Sequence, residues 1–317
     1  MAFARLWHSR EETRGTVVLV HGAAEHSLRY QQFALFLAHN GYNVVAYDQR
    51  GHGYTALSSG DDGDPIALKK RLYESPEFGY ISMDEGWSAY LDDLSHVLEY
   101  VYSRYQTGGY FLFGHSMGSM IVRSSLATLP PASLAKLRGV ILSGHPENGG
   151  LAGRMGYQVI RRQIQRHGES NISESIDRLV LGRYSRSPRF RSMRTELDWI
   201  SSDPDEVDAY IADPLCGNVL RLGFYAALVQ GNLFVYSRDY RRGLTESPIP
   251  LLIFSGSEDP VTGFGKTPKM LADFYRKLGW PDVETRLYDG NRHEVFHDTR
   301  QAEAFDDCLK WMEGRLH

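Results

Sequence analysis

Short, almost unbroken apolar runs recur along this chain and alternate with longer stretches in which apolar residues return every three or four positions. The runs Thr16–Val20, Asn43–Tyr47, Tyr110–Phe113, Gly139–Ser143 and Pro250–Ser255 predict buried strands, and the alternation of Val283–Tyr288 predicts a strand nearer an edge. Helical spacing covers Tyr30–Asn40, where Phe33, Phe36 and Leu37 share a face and Gly41 can end the helix. It recurs over Met83–Tyr105, Met117–Leu129, Lys266–Leu278 and Thr299–Met312, with Pro130-Pro131 closing the second of these. Strand–helix alternation of this kind predicts an α/β fold, a mostly parallel sheet with helices on both faces. From about Pro146 to Gly231 the rhythm breaks, strand runs vanish and arginines accumulate. That stretch reads as a mostly helical insertion, which divides the chain into a core of residues 1–145 and 232–317 and an inserted segment of 146–231.

Composition narrows the function classes. A net charge of −4 lacks the basic field of a general nucleic-acid binder. Cys216 and Cys308 are too few for a disulfide framework in a chain of 317 residues and read as reduced thiols. The segment Met1–Thr16 is charged and has no apolar core of signal-peptide length, and no stretch approaches the ~20 apolar residues of a membrane span. The expectation is a soluble cytoplasmic protein, which leaves room for contact at a membrane surface.

The chemistry centres on Gly114-His115-Ser116-Met117-Gly118. Gly-X-Ser-X-Gly is common by chance, but here a strand run leads into it and an apolar helix follows, the setting of a nucleophile elbow. A serine hydroxyl alone is a poor nucleophile and needs a base, which in turn needs an orienting acid. In this fold they follow in the order Ser, Asp or Glu, His. The loop after Phe254 offers Asp259 or its neighbour Glu258, with Pro260 setting a turn; the loop after Tyr288 offers His293. Acyl transfer also needs oxyanion donors, expected from the N–H of Met117 and from the N–H of Ala23 in the loop after the first buried strand. A competing pattern, His293-Glu294-Val295-Phe296-His297, satisfies the zinc-protease motif H-E-X-X-H, but His293 follows Asp289-Gly-Asn-Arg, which reads as a loop and not a helix.

His21-Gly-X-X-Glu25-His26-Ser27-X-Arg29-Tyr30 and Asp48-Gln-Arg-Gly-His52-Gly53 extend the pattern. So do Asp213-Pro-Leu-Cys-Gly217, Gly256-Ser-Glu-Asp-Pro-Val261 and Tyr288-Asp-Gly-Asn-Arg-His-Glu294. Together these resemble the monoacylglycerol lipase and lysophospholipase-like α/β-hydrolases, grouped with the S33 serine aminopeptidase-like proteins. The resemblance implies Ser116, Asp259 and His293 as a triad and Ala23 and Met117 as oxyanion donors. His26, Arg29, Asp48 and His52, together with His115, are expected to brace these groups without taking part in the reaction. By the same resemblance residues 146–231 form a cap, and Leu151, Met155, Tyr157, Ile160, Ile164 and Ile172 line an acyl pocket or fill the cap's own core. The ten cap arginines between Arg154 and Arg194 read as a solvated helix surface; facing the pocket, they would favour an anionic headgroup. Thr55–Tyr80, with Asp61-Asp-Gly-Asp64, and Leu151–Leu197 depart from the family pattern, and both are expected to border the pocket.

The expected activity is cofactor-independent hydrolysis of a single-acyl lipid ester, a monoacylglycerol or lysophospholipid. The small-molecule ester is the expected partner, with transient membrane-surface contact through the cap. Rival readings are an S33-type aminopeptidase, a hydrolase-fold binding protein without catalysis, and a zinc hydrolase using His293 and His297.

Overall fold

A computed structural model describes residues 2–10, 12–57, 64–190, 193–244 and 248–316. In chain order the elements are β1 (Ala4–Trp7), β2 (Gly15–Val20), α1 (Gln31–His39), β3 (Tyr42–Tyr47), α2 (Gly53–Leu57), α3 (Pro65–Glu74), α4 (Ser88–Arg104) and β4 (Tyr110–His115). Then follow α5 (Met117–Thr128), α6 (Pro131–Leu134), β5 (Leu137–Ser143), α7 (Gly150–His167), α8 (Glu174–Val180) and α9 (Pro204–Ala212). The chain ends with α10 (Leu222–Val235), α11 (Arg238–Gly243), β6 (Leu251–Gly256), α12 (Lys266–Lys277), β7 (Val283–Tyr288) and α13 (Gln301–Glu313). The sheet order is β1-β3-β2-β4-β5-β6-β7, parallel except for β1, which pairs antiparallel with β3. This is the α/β-hydrolase fold.

The central strands read as unbroken apolar runs because both faces of the sheet are covered. Val18 and Val20 of β2 turn to one core with Leu112, Val140, Leu142 and residues of α4, α5 and α12. Val17 and Leu19 turn the other way and join Phe111, Phe113, Ile141 and Phe254 under α1 and α13. On that side Phe296 stacks edge-on against Phe33, Phe113 and Phe254 with ring centroids 4.7, 4.8 and 5.2 Å away. Losing such a ring costs about 3–5 kcal/mol. Phe296 lies three residues past His293, so the same packing fixes the loop that carries the imidazole.

Strand order reverses around β2, which has β3 on one side and β4 on the other. The loops after β2 and β4 therefore flank a topological switch point, where open α/β sheets place ligands. The loops after β6 and β7 lie at the same carboxyl end.

Two expectations need correction, and one strand stands where none was expected. β1 is a strand that its sequence hardly announces: Ala-Arg-Leu-Trp is half exposed at an edge. The helix expected from Met83 begins only at Ser88, because Gly86 adopts φ +55° and its preceding residues form turns. The described part of Thr55–Tyr80 does not border the cavities at Ser116; α3 packs beside Ile211–Pro214, and residues 58–63, with Asp61 and Asp62, lie outside the described residues. Between β5 and β6 the described chain forms helices α7 to α11 joined by turns, with no strand and one isolated bridge, Ile172 to Arg221. α10 runs on through residue 231 to Val235.

Candidate active site

Ser116 sits between β4 and α5 with φ +50° and ψ −115°, a strained conformation for a residue with a side chain. Its flanking glycines follow from the tightness of this turn. A Cβ on Gly114 would lie 2.5 Å from the Gly118 carbonyl oxygen, and one on Gly118 would lie 2.0 Å from that of Val20. The serine N–H donates to the Ser143 carbonyl at 2.9 Å, tying the elbow to β5.

Ser116 Oγ lies 2.9 Å from His293 Nε2, and His293 Nδ1 lies 3.0 Å from Asp259 Oδ2. Asp259 is fully buried, and its other oxygen accepts the Val261 N–H at 2.8 Å, across the Pro260 turn. Glu258 points away and pairs with Arg189 at the surface, 2.8 Å apart. Geometry thus separates the two adjacent acids. Burial pushes the His293 pKa down, but the charge and hydrogen bond of Asp259, aided by Glu294 and Glu25, outweigh it, so the net shift is upward from 6.5.

A buried ion cluster connects the two loops that flank this line. Arg29 donates to Glu25 Oε2 at 2.8 Å and holds both oxygens of Glu294 at 2.8 and 2.7 Å. Glu25 Oε1 in turn accepts the Gly22 N–H and, at 2.9 Å, the Tyr30 hydroxyl. The loop holding Ala23 is therefore fastened to the residue next to His293. Despite burial, which favours the neutral acid, Arg29 holds both carboxyls below their ordinary range.

The other expected supports fall into place around that loop. Asp48, fully buried, accepts from Ser27 N, Arg5 and Tyr54 N at 2.9, 3.1 and 2.9 Å. His26 Nε2 lies 2.8 Å from Asp213 Oδ2, which links the Ala23 loop to the segment after α9. His52 is buried against His21 and Phe224 and held neutral, its pKa lowered by burial to about 3. His115 stands 4.7 Å from the His293 ring, and burial followed by the His293 charge lowers its pKa to about 4. Only His115 among these five supports reaches the cavity wall.

The imidazoles of the H-E-X-X-H pattern serve different partners. His293 faces Ser116, whereas His297, at the end of a single 3-10 turn, lies 2.9 Å from the Arg29 carbonyl oxygen. They share no helix face. His26, Asp213 and Cys216 bring potential ligand atoms within 4.8 Å of one another. Burial holds that thiol protonated, and the Arg29 guanidinium nearby opposes a cation.

Two cavities meet at Ser116, and Ala23 and Trp199 line both. One, of 320 Å³, is mainly apolar and runs between Met117, Met120, Val261 and the inner side of α7 at Ala152, Gly153, Gly156 and Ile160. The other, of 910 Å³, carries Arg178, Arg186, Arg194, Asp177 and Glu196 on its wall. Of the six cap residues expected at a pocket or in the cap core, Ile160 alone lines these cavities; Leu151 and Met155 are 74% and 63% exposed. Arg154, Arg161, Arg162 and Arg166 lie exposed on α7, and Arg191 falls outside the described residues. Sequence reasoning named neither Trp199, whose ring is 5.3 Å from His293, nor the roles of Glu25 and Glu294. The acids stood inside the quoted motifs; Trp199 carried no local signal.

The sequence pattern of the serine aminopeptidase, S33 family matches residues 11–300. A monoacylglycerol lipase of Mycolicibacterium smegmatis is 26% identical over 98% of this chain and 92% of its own. The human monoglyceride lipase is 23% identical over 99% and 87%. Among solved structures, a thermostable carboxyl esterase from Bacillus coagulans superposes with a TM-score of 0.85, at 26% identity over 100% of this chain and 98% of its own.

With His293 in its expected role of base, its upward shift sets a pH dependence. A base acts when neutral, so kcat/KM should fall on acidification with an apparent pKa above 6.5. Glu294→Gln should move that midpoint down. A midpoint below 6.5, or one indifferent to Glu294, would contradict the arrangement.

Proposed function

Since the chain belongs to the serine aminopeptidase S33 family, we propose that it hydrolyses the ester of a single-acyl lipid, a monoacylglycerol or a lysophospholipid, through Ser116, His293 and Asp259. The observation that carries this reading is the line Ser116 Oγ–His293 Nε2–His293 Nδ1–Asp259 Oδ2, at 2.9 and 3.0 Å, where an apolar and a polar cavity meet. His293 takes the serine proton as Oγ attacks the ester carbonyl. Asp259 keeps the tautomer with Nδ1 protonated and stabilises the imidazolium. The N–H groups of Ala23 and Met117 receive the oxyanion. Collapse gives an acyl-enzyme and expels the alcohol, which His293 protonates; a water activated by His293 then releases the acid.

The apolar cavity suits the acyl chain, and the wider one the headgroup. The helical segment of residues 146–231 serves as the cap, excluding water during the reaction. On the headgroup side Arg178 and Arg194 are paired with Glu174 and Asp208 at 3.4 and 2.6 Å, so it is chiefly Arg186 that favours an anionic group, a lysophospholipid above a neutral glyceride. An aminopeptidase would need a carboxylate free for the substrate ammonium. At this wall Glu25 and Glu294 are both held by Arg29 and Asp177 accepts from Tyr225 at 2.6 Å, which leaves the exposed Glu196 as the one described wall acid outside such pairs; a single exposed acid is a weak clamp for an ammonium, which favours the ester.

No helix among the described residues is long and apolar enough to cross a membrane. α7 nevertheless has the chemistry of a surface-binding helix. Leu151, Met155 and Val159 form an exposed stripe, Arg154, Arg161, Arg162 and Arg166 surround it, and the helix contains no acid. Docked on anionic lipid, it would hold the apolar cavity at the membrane surface, because its inner side lines that cavity.

Ser116→Ala should abolish turnover of p-nitrophenyl esters and labelling by a fluorophosphonate, and wild type should cleave esters in preference to aminoacyl p-nitroanilides. Persistent labelling of Ser116→Ala, or preference for the anilides, would sink the assignment. Equal kcat/KM for a lysophospholipid and a monoacylglycerol of one chain length would remove the headgroup role of the arginines. Met155→Glu with Leu151→Glu should weaken co-sedimentation with phosphatidylglycerol vesicles and spare hydrolysis of a soluble ester; undiminished sedimentation would count against the docking helix.

A further inference from the structure

Arg123 is among the largest fully buried side chains of the protein, at 1% exposure, and nothing in the reaction just described uses it. Its hydrogen-bond partners are all neutral: Tyr275 Oη at 3.0 Å, His145 Nε2 at 2.8 Å and the Val235 carbonyl at 3.1 Å. The rings of Tyr236, Tyr240, Phe274 and Tyr275 surround the guanidinium, with centroids 4.9 to 6.0 Å away. A guanidinium is always charged and only donates. Held this way, its charge is stabilised by dipoles and ring faces, not cancelled by an acid.

The neighbouring groups give that charge a direction. Because Arg123 donates to His145 Nε2, the imidazole, kept neutral by burial and then by the Arg123 charge, must carry its proton on Nδ1. Nδ1 lies 2.7 Å from Ser119 Oγ and donates to it. The Ser119 hydroxyl is then free to donate onward, and it does so to the carbonyl oxygen of Ser116 at 2.5 Å. That oxygen already accepts the helical N–H groups of Ser119 and Met120 at 3.0 and 3.3 Å. Ser119 adds a further donor with a buried cation behind it.

The Ser116 carbonyl and the Met117 N–H are two ends of one peptide group. Resonance couples them, so a donor at the oxygen draws charge from the nitrogen and makes its N–H a stronger donor. We propose that Arg123, His145 and Ser119 form a relay that polarises the Ser116–Met117 peptide and so strengthens the Met117 N–H as the oxyanion donor. The inference rests on Ser116 being the acyl acceptor. Ser119, His145 and Arg123 stand outside the walls of both cavities at Ser116, so they are positioning residues that never touch substrate.

A relay of this kind acts on the transition state and leaves substrate binding alone. The test is steady-state kinetics on Ser119→Ala, His145→Ala, the double variant and His145→Gln, with active sites counted by fluorophosphonate titration. Removing one whole oxyanion donor typically costs 10²–10³ in rate, so weakening one should lower kcat per titrated site about tenfold in each single variant, with KM little changed. The double variant should be no slower than the worse single, because both cut the same chain. His145→Gln, whose amide can accept from Arg123 and donate to Ser119, should recover most of the rate. Affinity for a trifluoromethyl ketone, which mimics the tetrahedral adduct, should fall in step with kcat. A purely structural role would lower the melting temperature and leave kcat per titrated site intact, which would overturn the relay. Multiplying losses in the double variant, or no recovery in His145→Gln, would overturn it as well. Should the wild type itself resist titration at Ser116, the acyl-transfer reading falls first and the relay with it.

Discussion

The arrangement at the carboxyl end of the sheet depends on one buried guanidinium. Arg29 grips Glu25 with one nitrogen and clamps Glu294 with two. Glu25 fixes Gly22, hence the backbone around Ala23, and Glu294 adjoins His293. The proposed oxyanion loop and the proposed base, 270 positions apart by number, are held in register by this clamp. Breaking a buried pair of this kind by removing one partner typically costs about 3–5 kcal/mol, because the surviving charge is stranded. Two carboxylates against one guanidinium also leave a net negative charge beside His293. That charge adds to Asp259 in favouring the imidazolium, which explains why a wholly buried histidine is shifted up and not down.

Charge is distributed around Ser116 with opposite signs on its two sides. Asp259 and the Glu25–Arg29–Glu294 cluster place negative charge about the imidazole, where a cation would form. On the other side, Arg123 sends a chain of donors toward the peptide where an anion would form. His115 and His52, both neutral, add no competing cation between them. Fixed dipoles and buried charges suit acyl transfer because they need no rearrangement when the transition state arises.

Much of this was legible in the sequence, for physical reasons. Strands buried on both faces must be apolar throughout, so β2 to β6 stand out. Gly114 and Gly118 are required by backbone contacts too close for any Cβ, so the elbow is a local pattern. The fixed order of strand ends leads to His293 and narrows the acid to Glu258 or Asp259, which only the fold separates, Glu258 pairing outward with Arg189. What escaped notice was set by distant packing. β1 is only four residues at an edge, half exposed, with Arg5 interrupting its apolar residues. The two faces of α7 could not be told apart beforehand, because glycines and an alanine line the cavity while Leu151 and Met155 look outward. Trp199 lies next to the site only because the chain between β5 and β6 folds back over the sheet, and His145, two residues past β5, belongs to no motif that marks it.

The most direct test of the central claim is to catch the acyl group in place. Wild-type protein mixed with a long-chain p-nitrophenyl ester and quenched in acid during turnover should gain the mass of one acyl group, mapping by peptide fragmentation to Ser116. The adduct should be absent from Ser116→Ala and persist longer in His293→Ala that has been acylated with a fluorophosphonate-competitive activated ester. An acyl group found on another residue, or turnover with no adduct under conditions where deacylation limits the rate, would contradict nucleophilic catalysis by Ser116.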